Sequence, residues 1–270
     1  MNQALIEAIR DQNAILFVGS GVSQNLGLPS WGALIRHLGE ELDYDPELFS
    51  AHGDYLSLAE YYQLEKGSIG PLRNWMDREW HHGVDLAASD IHRLIVELKF
   101  PIIYTTNYDA WLERAHELYG KEFTKVTGVD DFYKVKPGVS QVVKFHGDFD
   151  DKASIVLTES DYFDRLDFEA PLDIKLRHDL LGRTALFIGY SLTDVNIRYM
   201  LFRLNQQWKA ATIADDARPR SFIFLSRPNP IQERILEHRG IEPIVSDNDN
   251  AGDGLREFLQ ELLKEAYGGT

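Results

Sequence analysis

Residues 14–42 read AILFVGSGVSQNLGLPSWGALIRHLGEEL. The first five form a continuous apolar run behind the polar turn Asp11-Gln12-Asn13, the pattern of a strand buried on both faces. Residues 31–42 have helical spacing. Between them lie two glycines and a serine, Gly19-Ser20-Gly21, and a second break at Pro29-Ser30-Trp31. Strand, glycine turn and helix open a βαβ unit.

The same alternation returns further along the chain. PIIYT (101–105), QVVKF (141–145), TALFI (184–188), SFIFL (221–225) and IEPIV (241–245) read as strands. Helical patterns lie at 2–11, 108–118, 169–182, 193–207, 229–238 and 254–266. The segments 212–220 and 246–253 read as polar loops, and the stretch before QVVKF as polar and turn-rich. Residues 44–99 are different: three helical patterns with no strand between them. The expected fold is α/β, a Rossmann-like, mostly parallel sheet with helices on both faces. One domain over 1–270 carries a helical insertion at 44–99.

Composition removes several function classes. The chain has 270 residues and no cysteine, which excludes disulfides, a catalytic thiol and any Cys-ligated zinc or iron–sulfur site. The nine histidines include no His-Glu-x-x-His pattern, so no metal is expected. Net charge is −15 with no basic cluster, so direct nucleic-acid binding is not expected. No apolar run approaches the ~18 residues of a membrane span, and the N-terminal stretch lacks a signal-peptide pattern. A cytoplasmic protein with no membrane association is the expectation.

Four strands end in distinctive polar signatures. AILFV runs into Gly19-Ser20-Gly21-Val22-Ser23, and PIIYT into Thr106-Asn107-Tyr108-Asp109. QVVKF runs into His146-Gly147-Asp148, and TALFI into Gly189-Tyr190-Ser191-Leu192-Thr193-Asp194. In an open parallel sheet these strand ends share one rim, where ligands bind at the switch in strand order. The glycine loop suits a phosphate, through free N–H groups and the dipole of the next helix. The dinucleotide fingerprint is only partly met, because Gln24 stands where a third glycine belongs. Each loop also has a plainer reading: a turn without ligand at 19–23, helix caps at Asn107, Asp109, Ser191 or Thr193, and a structural His146. Four such loops on one rim favour a site.

In order, these motifs resemble the sirtuin family, closest to the bacterial branch found in anti-phage defence. Gly19-Ser20-Gly21-Val22-Ser23, Gly27-Leu28-Pro29, Thr105-Thr106-Asn107-Tyr108-Asp109, His146-Gly147 and Gly189-Tyr190-Ser191-Leu192 match its G-A-G-x-S, G-I-P, T-Q-N-x-D, His-Gly and G-x-S-L elements. The resemblance implies NAD as substrate, without metal or zinc. It makes His146 the catalytic base, with Asn107 and Asp109 lining the nicotinamide and its ribose. The cofactor-binding set is Gly19, Ser20, Gly21, Ser23, Pro29, Trp31, Thr106, Gly189, Ser191 and Asp194. The loop at 19–23 would hold the pyrophosphate, and 189–194, with Ser226, the adenosine half.

Two departures bear on activity. The deacylases of the family carry a four-cysteine zinc module, which this chain cannot form; residues 44–99 are expected in its place. Ser30-Trp31-Gly32 stands where deacylases have Asp-Phe-Arg. Both changes fall where a peptide would be held. The resemblance therefore implies an NAD hydrolase releasing nicotinamide and ADP-ribose, an NAD-depleting effector of defence. The alternatives are an NAD or ADP-ribose sensor without turnover and a protein deacylase. A dehydrogenase fits poorly, since only Glu40 or Glu41 would serve its ribose. Expected partners are further copies of the chain and a regulatory protein such as a HerA-type ATPase or a short Argonaute.

Overall fold

The computed structural model describes residues 2–151, 154–192, 194–211 and 218–268. Thr193, and 212–217 of the polar loop expected at 212–220, lie outside the described residues. The strands are β1 (Ala14–Val18), β2 (Ile102–Thr105), β3 (Phe123–Val126), β4 (Ser140–Lys144), β5 (Thr184–Ile188), β6 (Ser221–Leu225) and β7 (Ile241–Val245). They pair in the order β3-β4-β2-β1-β5-β6-β7, parallel throughout. Strand order reverses beside β1. β2 lies on one side of it and β5 on the other, so the loops after β1, β2 and β5 flank the switch point.

The strand alternation divides the core. Leu16 and Val18 of β1 face one apolar layer and Ile15 and Phe17 the other. The first layer is covered by α1 (Gln3–Arg10), α7 (Asp90–Glu97), α8 (Trp111–Leu118) and α13 (Ala251–Tyr267). The second is covered by α10 (Pro171–Gly182), α11 (Val195–Ala210) and α12 (Pro230–His238). Burial of both faces is why the central strands read as unbroken apolar runs.

Residues 44–99 are helical, and they divide physically. α3 (Trp31–Glu41), α4 (Pro46–Ala51), α5 (Tyr55–Lys66) and α6 (Gly70–His81) build a separate core around Leu38, Phe49, Tyr62 and Met76. That core reaches the sheet through Tyr108, Phe149, Ile155 and Leu157 of the rim loops. The side chains of Ser30, Asp45 and Asp54 cap α3, α4 and α5, so polar residues set where each helix begins. α7 belongs instead to the sheet: Ile91, Leu94 and Ile95 pack in the layer with α1 and α13.

Four local differences from the sequence reading have physical causes. β3 falls in the stretch read as turn-rich. It is a half-exposed edge strand paired only with β4, and its FTKV has the polar character that protects edges. Two helices of five residues, α2 (Ser20–Gln24) and α9 (Glu159–Phe163), are too short to show periodicity. α13 begins at Ala251, inside the loop expected at 246–253, because Asn250 caps it. α8 begins at Trp111 rather than 108, since 107–109 are held by the site. Among the described residues no helix is long and apolar enough to cross a membrane.

Candidate active site

The register aligns the strand ends. Val18 lies opposite Thr105 and Ile188, and Thr105 opposite Lys144, so the four signatures do share one rim. They open onto a cleft of about 1500 Å³. Ser20, Gly21, Ser23, Pro29, Trp31, Thr106, Asn107, Asp109, His146, Gly189, Ser191 and Asp194 line it, as does Ser226. Of the residues named from sequence, Gly19 does not line the cleft. The helical lobe contributes Arg36, Asp54, Tyr55 and Trp80.

The two glycines of the first loop serve contact between loops. A Cβ on Gly19 would stand 2.4 Å from the Gly189 carbonyl oxygen, and one on Gly21 2.9 Å from it. Their N–H groups donate to the carbonyls of Ile188 and Gly189 at 3.0 and 2.9 Å. Any N–H groups the loop offers a ligand therefore come from positions other than these two. Both are already bonded to the neighbouring strand end.

Asn107 is held from below. Its amide donates to the Gly19 carbonyl at 3.2 Å and to Ser23 Oγ at 3.0 Å. Ser23 in turn donates to Asp109 Oδ2 at 2.8 Å, and Asp109 Oδ1 accepts from Trp111 N–H at 3.2 Å. Neither residue is the N-cap of α8, which is Ala110, although Asp109 accepts one N–H of its first turn. Asp109 supports the loop from a buried position, and Asn107 retains its carbonyl oxygen for a ligand.

His146 is buried, 2% exposed. Gly147 follows it with φ +80°, where a Cβ would meet the Ser154 carbonyl at 2.2 Å; the turn that presents the histidine requires glycine there. The imidazole Nε2 lies 3.1 Å from Asp194 Oδ2. The contact is short without meeting hydrogen-bond geometry. Nδ1 faces the Tyr162 hydroxyl at the longer distance of 3.4 Å. Asp194 was expected at the adenosine half; it sits on the imidazole instead. Its other oxygen accepts from Asn196 and Ile197 N–H at 2.9 and 3.0 Å, capping α11. Burial opposes the charge on Asp194, but the neighbouring imidazole and these two N–H groups outweigh it and hold the carboxyl below its usual range. Burial and the Asp194 charge push the Tyr162 and Tyr190 phenols well up.

Sequence reasoning missed Lys144 and Tyr162, and it quoted Tyr190 within the fourth signature without assigning it to the site. Lys144 is fully buried on β4, its Nζ donating to the Asp109 carbonyl and lying 3.3 Å from Glu113 Oε1. The signal was present, since a lysine inside QVVKF sits where a buried strand position falls. Among the described residues no group of three His, Asp or Glu side chains gathers as metal ligands would.

A model of the SIR2-like domain matches residues 101–244, more than half of the chain. The chain belongs to the SIR2-like domain family. It is 34% identical to the NAD(+) hydrolase ThsA of Enterococcus faecium, over 72% of this chain and 40% of that protein. It is 31% identical to the ThsA of Bacillus cereus (strain MSX-D12), over 74% and 42%. Defense-associated sirtuin 2 of Bacillus subtilis is 28% identical over 89% of this chain and 24% of its own length. The SIR2-like chain therefore spans about two fifths or less of these curated relatives. Among solved structures, a Sir2 homologue in complex with NAD superposes with a TM-score of 0.57 at 14% identity, over 98% of this chain and 95% of that one. That likeness concerns the fold.

Proposed function

We propose that this SIR2-like chain hydrolyses NAD at the nicotinamide–ribose bond, giving nicotinamide and ADP-ribose. The observation that carries the reading is the buried His146–Asp194 pair in one cleft with Asn107 at the switch point of the sheet. The relatives named NAD(+) hydrolase support it. The leaving nicotinamide departs neutral from a cationic ring, so no general acid is needed, unlike the two-carboxylate scheme of O-glycosidases. One base and accurate placement suffice.

Asp194 holds the Nε2 side of the imidazole and stabilises it when protonated. That leaves Nδ1, beside Tyr162, to take the proton of the attacking water or of a ribose hydroxyl. The carbonyl oxygen of Asn107 orients the water or the ribose. The bond from C1′ to the ring nitrogen breaks, its electron pair leaves with nicotinamide, and the water oxygen bonds C1′. In this reading the helical lobe over 31–81 takes the place of the family's four-cysteine zinc module, which a cysteine-free chain cannot form.

The wider role in this reading is an NAD-depleting effector of anti-phage defence, working in the cytoplasm, self-associating and restrained by a regulatory partner chain. The name of the Bacillus subtilis relative supports the defence setting. The test is incubation of the purified chain with NAD, following nicotinamide and ADP-ribose, beside His146→Ala. Turnover lost in the variant is the expected result. Equal turnover in both, or NAD binding without turnover in either, would overturn the hydrolase reading.

A further inference from the structure

The groups suited to chemistry are not spread evenly along the rim. Asn107 follows β2 and His146 follows β4, both on the same side of β1. In the other direction the cleft continues past Gly189 to the end of β6, where Ser226, Arg227, Asn229 and Gln232 line it. From β4 to β6 the sheet order β4-β2-β1-β5-β6 gives four strand spacings, roughly 19 Å at about 4.8 Å each. That length lays out an extended dinucleotide. With its nicotinamide ribose beside His146, its adenosine ribose falls on the β6 arm.

The side chains of that arm are a hydroxyl, a guanidinium and two carboxamides, and each can donate a hydrogen bond. The carboxylates lining the cleft are Asp54, Asp109, Glu159 and Asp194. They belong to the helical lobe, the β2 loop, α9 and the N-terminus of α11, and none to the β6 arm. Glu233, on the first turn of α12, accepts the Asn229 N–H at 2.7 Å. Arg227 is exposed, and it makes no side-chain hydrogen bond or ion pair with the described residues. Dinucleotide sites discriminate at this ribose. A carboxylate accepts from a free 2′-hydroxyl and repels a 2′-phosphate, whereas an arginine accommodates the phosphate.

We infer that the β6 arm accepts a 2′-phosphorylated adenosine, so that NADP is a substrate beside NAD, with Arg227 as the residue that sets the choice. The inference rests on the hydrolase reading above. The reaction is unchanged: water adds to C1′, nicotinamide leaves with the bonding pair, one proton is released, and the product is ADP-ribose bearing the 2′-phosphate. No oxidant or reductant enters.

The experiment measures kcat/KM for NAD and for NADP by nicotinamide release, in the unmodified chain and in Arg227→Ala, Arg227→Lys and Arg227→Glu. The unmodified chain turns over NADP within about tenfold of NAD. Arg227→Ala lowers the NADP-to-NAD ratio by about tenfold or more, Arg227→Glu lowers it further, and Arg227→Lys keeps part of it. Rejection of NADP by the unmodified chain overturns the inference. So does an equal fall for both substrates, which would put Arg227 on a part of the ligand they share, and so does an unchanged ratio. Calorimetric titration with ADP-ribose and with its 2′-phosphate reads the same preference without turnover. A chain that hydrolyses neither substrate yet shows an Arg227-dependent preference for the 2′-phosphate refutes the hydrolase reading alone. Absence of that preference refutes this inference.

Discussion

The carboxylate of Asp194 lies 3.1 Å from the imidazole Nε2 of His146, with both side chains almost fully buried. One oxygen faces the base and the other caps α11, so a single residue joins the chemistry to the start of a helix. The two duties separate by substitution. Asparagine is as good a cap as aspartate, so Asp194→Asn keeps α11. Its amide cannot balance an imidazolium, and its N–H₂ offers a donor where the imidazole N–H needs an acceptor. Turnover of NAD falls roughly 10²-fold or more in Asp194→Asn, with the thermal midpoint nearly unchanged. Asp194→Ala loses the cap as well, about 1 kcal/mol further in stability. Nicotinamide release and thermal melts on both variants check this; normal turnover in Asp194→Asn would remove the aspartate from the mechanism.

The glycine contact between the first and fourth rim loops is a steric prediction. Gly19→Ala places a methyl group 2.4 Å from the Gly189 carbonyl oxygen and 2.5 Å from the Tyr190 ring. One of the loops must move, at a cost of about 1–3 kcal/mol typical of overpacking. The Gly19 carbonyl also anchors Asn107, so the displacement reaches the site. The variant is destabilised by that amount in urea and loses turnover. Gly27→Ala is the contrast within the same stretch. Its added methyl meets nothing within 4 Å, though φ +88° makes it unfavourable, so its effect is confined to the turn.

Much of this arrangement was legible in the chain before its structure. Strands buried on both faces announce themselves as apolar runs, and the turn chemistry after β1, β2, β4 and β5 stood out because loops elsewhere are merely polar. What sequence could not give was the pairing across the rim. Asp194 was named only as part of the 189–194 loop expected at the adenosine half, and only the register of β5 against β1 and of β2 against β4 brings it to His146. The contact of Gly19 with Gly189 was hidden for the same reason. A glycine needed for contact with another backbone looks like one needed for a ligand. β3 escaped because an edge strand half open to solvent lacks the apolar signature that burial imposes.

Acid sensitivity has an identifiable source in His92. It is fully buried on α7, its Nδ1 is 2.8 Å from Ser89 Oγ, and its Nε2 has no hydrogen-bond partner among the described residues. Burial lowers it to about 4, against the opposing pull of the Asp109 charge. A histidine depressed in the folded state takes its proton first in the unfolded chain. Its contribution is therefore complete above its unfolded value of ~6.5 and is lost as pH falls toward 4. Between pH 7 and pH 5 the loss is about 2 kcal/mol. Urea unfolding at the two pH values measures it, and His92→Gln flattens the difference. A difference unchanged in the variant would assign the acid limb to other groups, such as His116, which burial also lowers.

Lys144 ties the loop carrying Asn107 and Asp109 to the end of β4, which His146 follows. Its ammonium is fully buried between the Asp109 carbonyl and Glu113, and Glu113 Oε2 has no hydrogen-bond partner among the described residues. Removing only the lysine strands a buried carboxylate, so Lys144→Met costs about 3–5 kcal/mol. Replacing both charges, in Lys144→Met with Glu113→Leu, takes away the stranded charge and recovers part of that stability. Recovery stays incomplete by about 1–3 kcal/mol, because the Asp109 carbonyl loses its donor inside the protein. Denaturant titration of the two single variants and the double variant gives the coupling directly. Strictly additive losses would show that lysine and glutamate do not interact, and the strut between β4 and the β2 loop would then rest on the carbonyl contact alone.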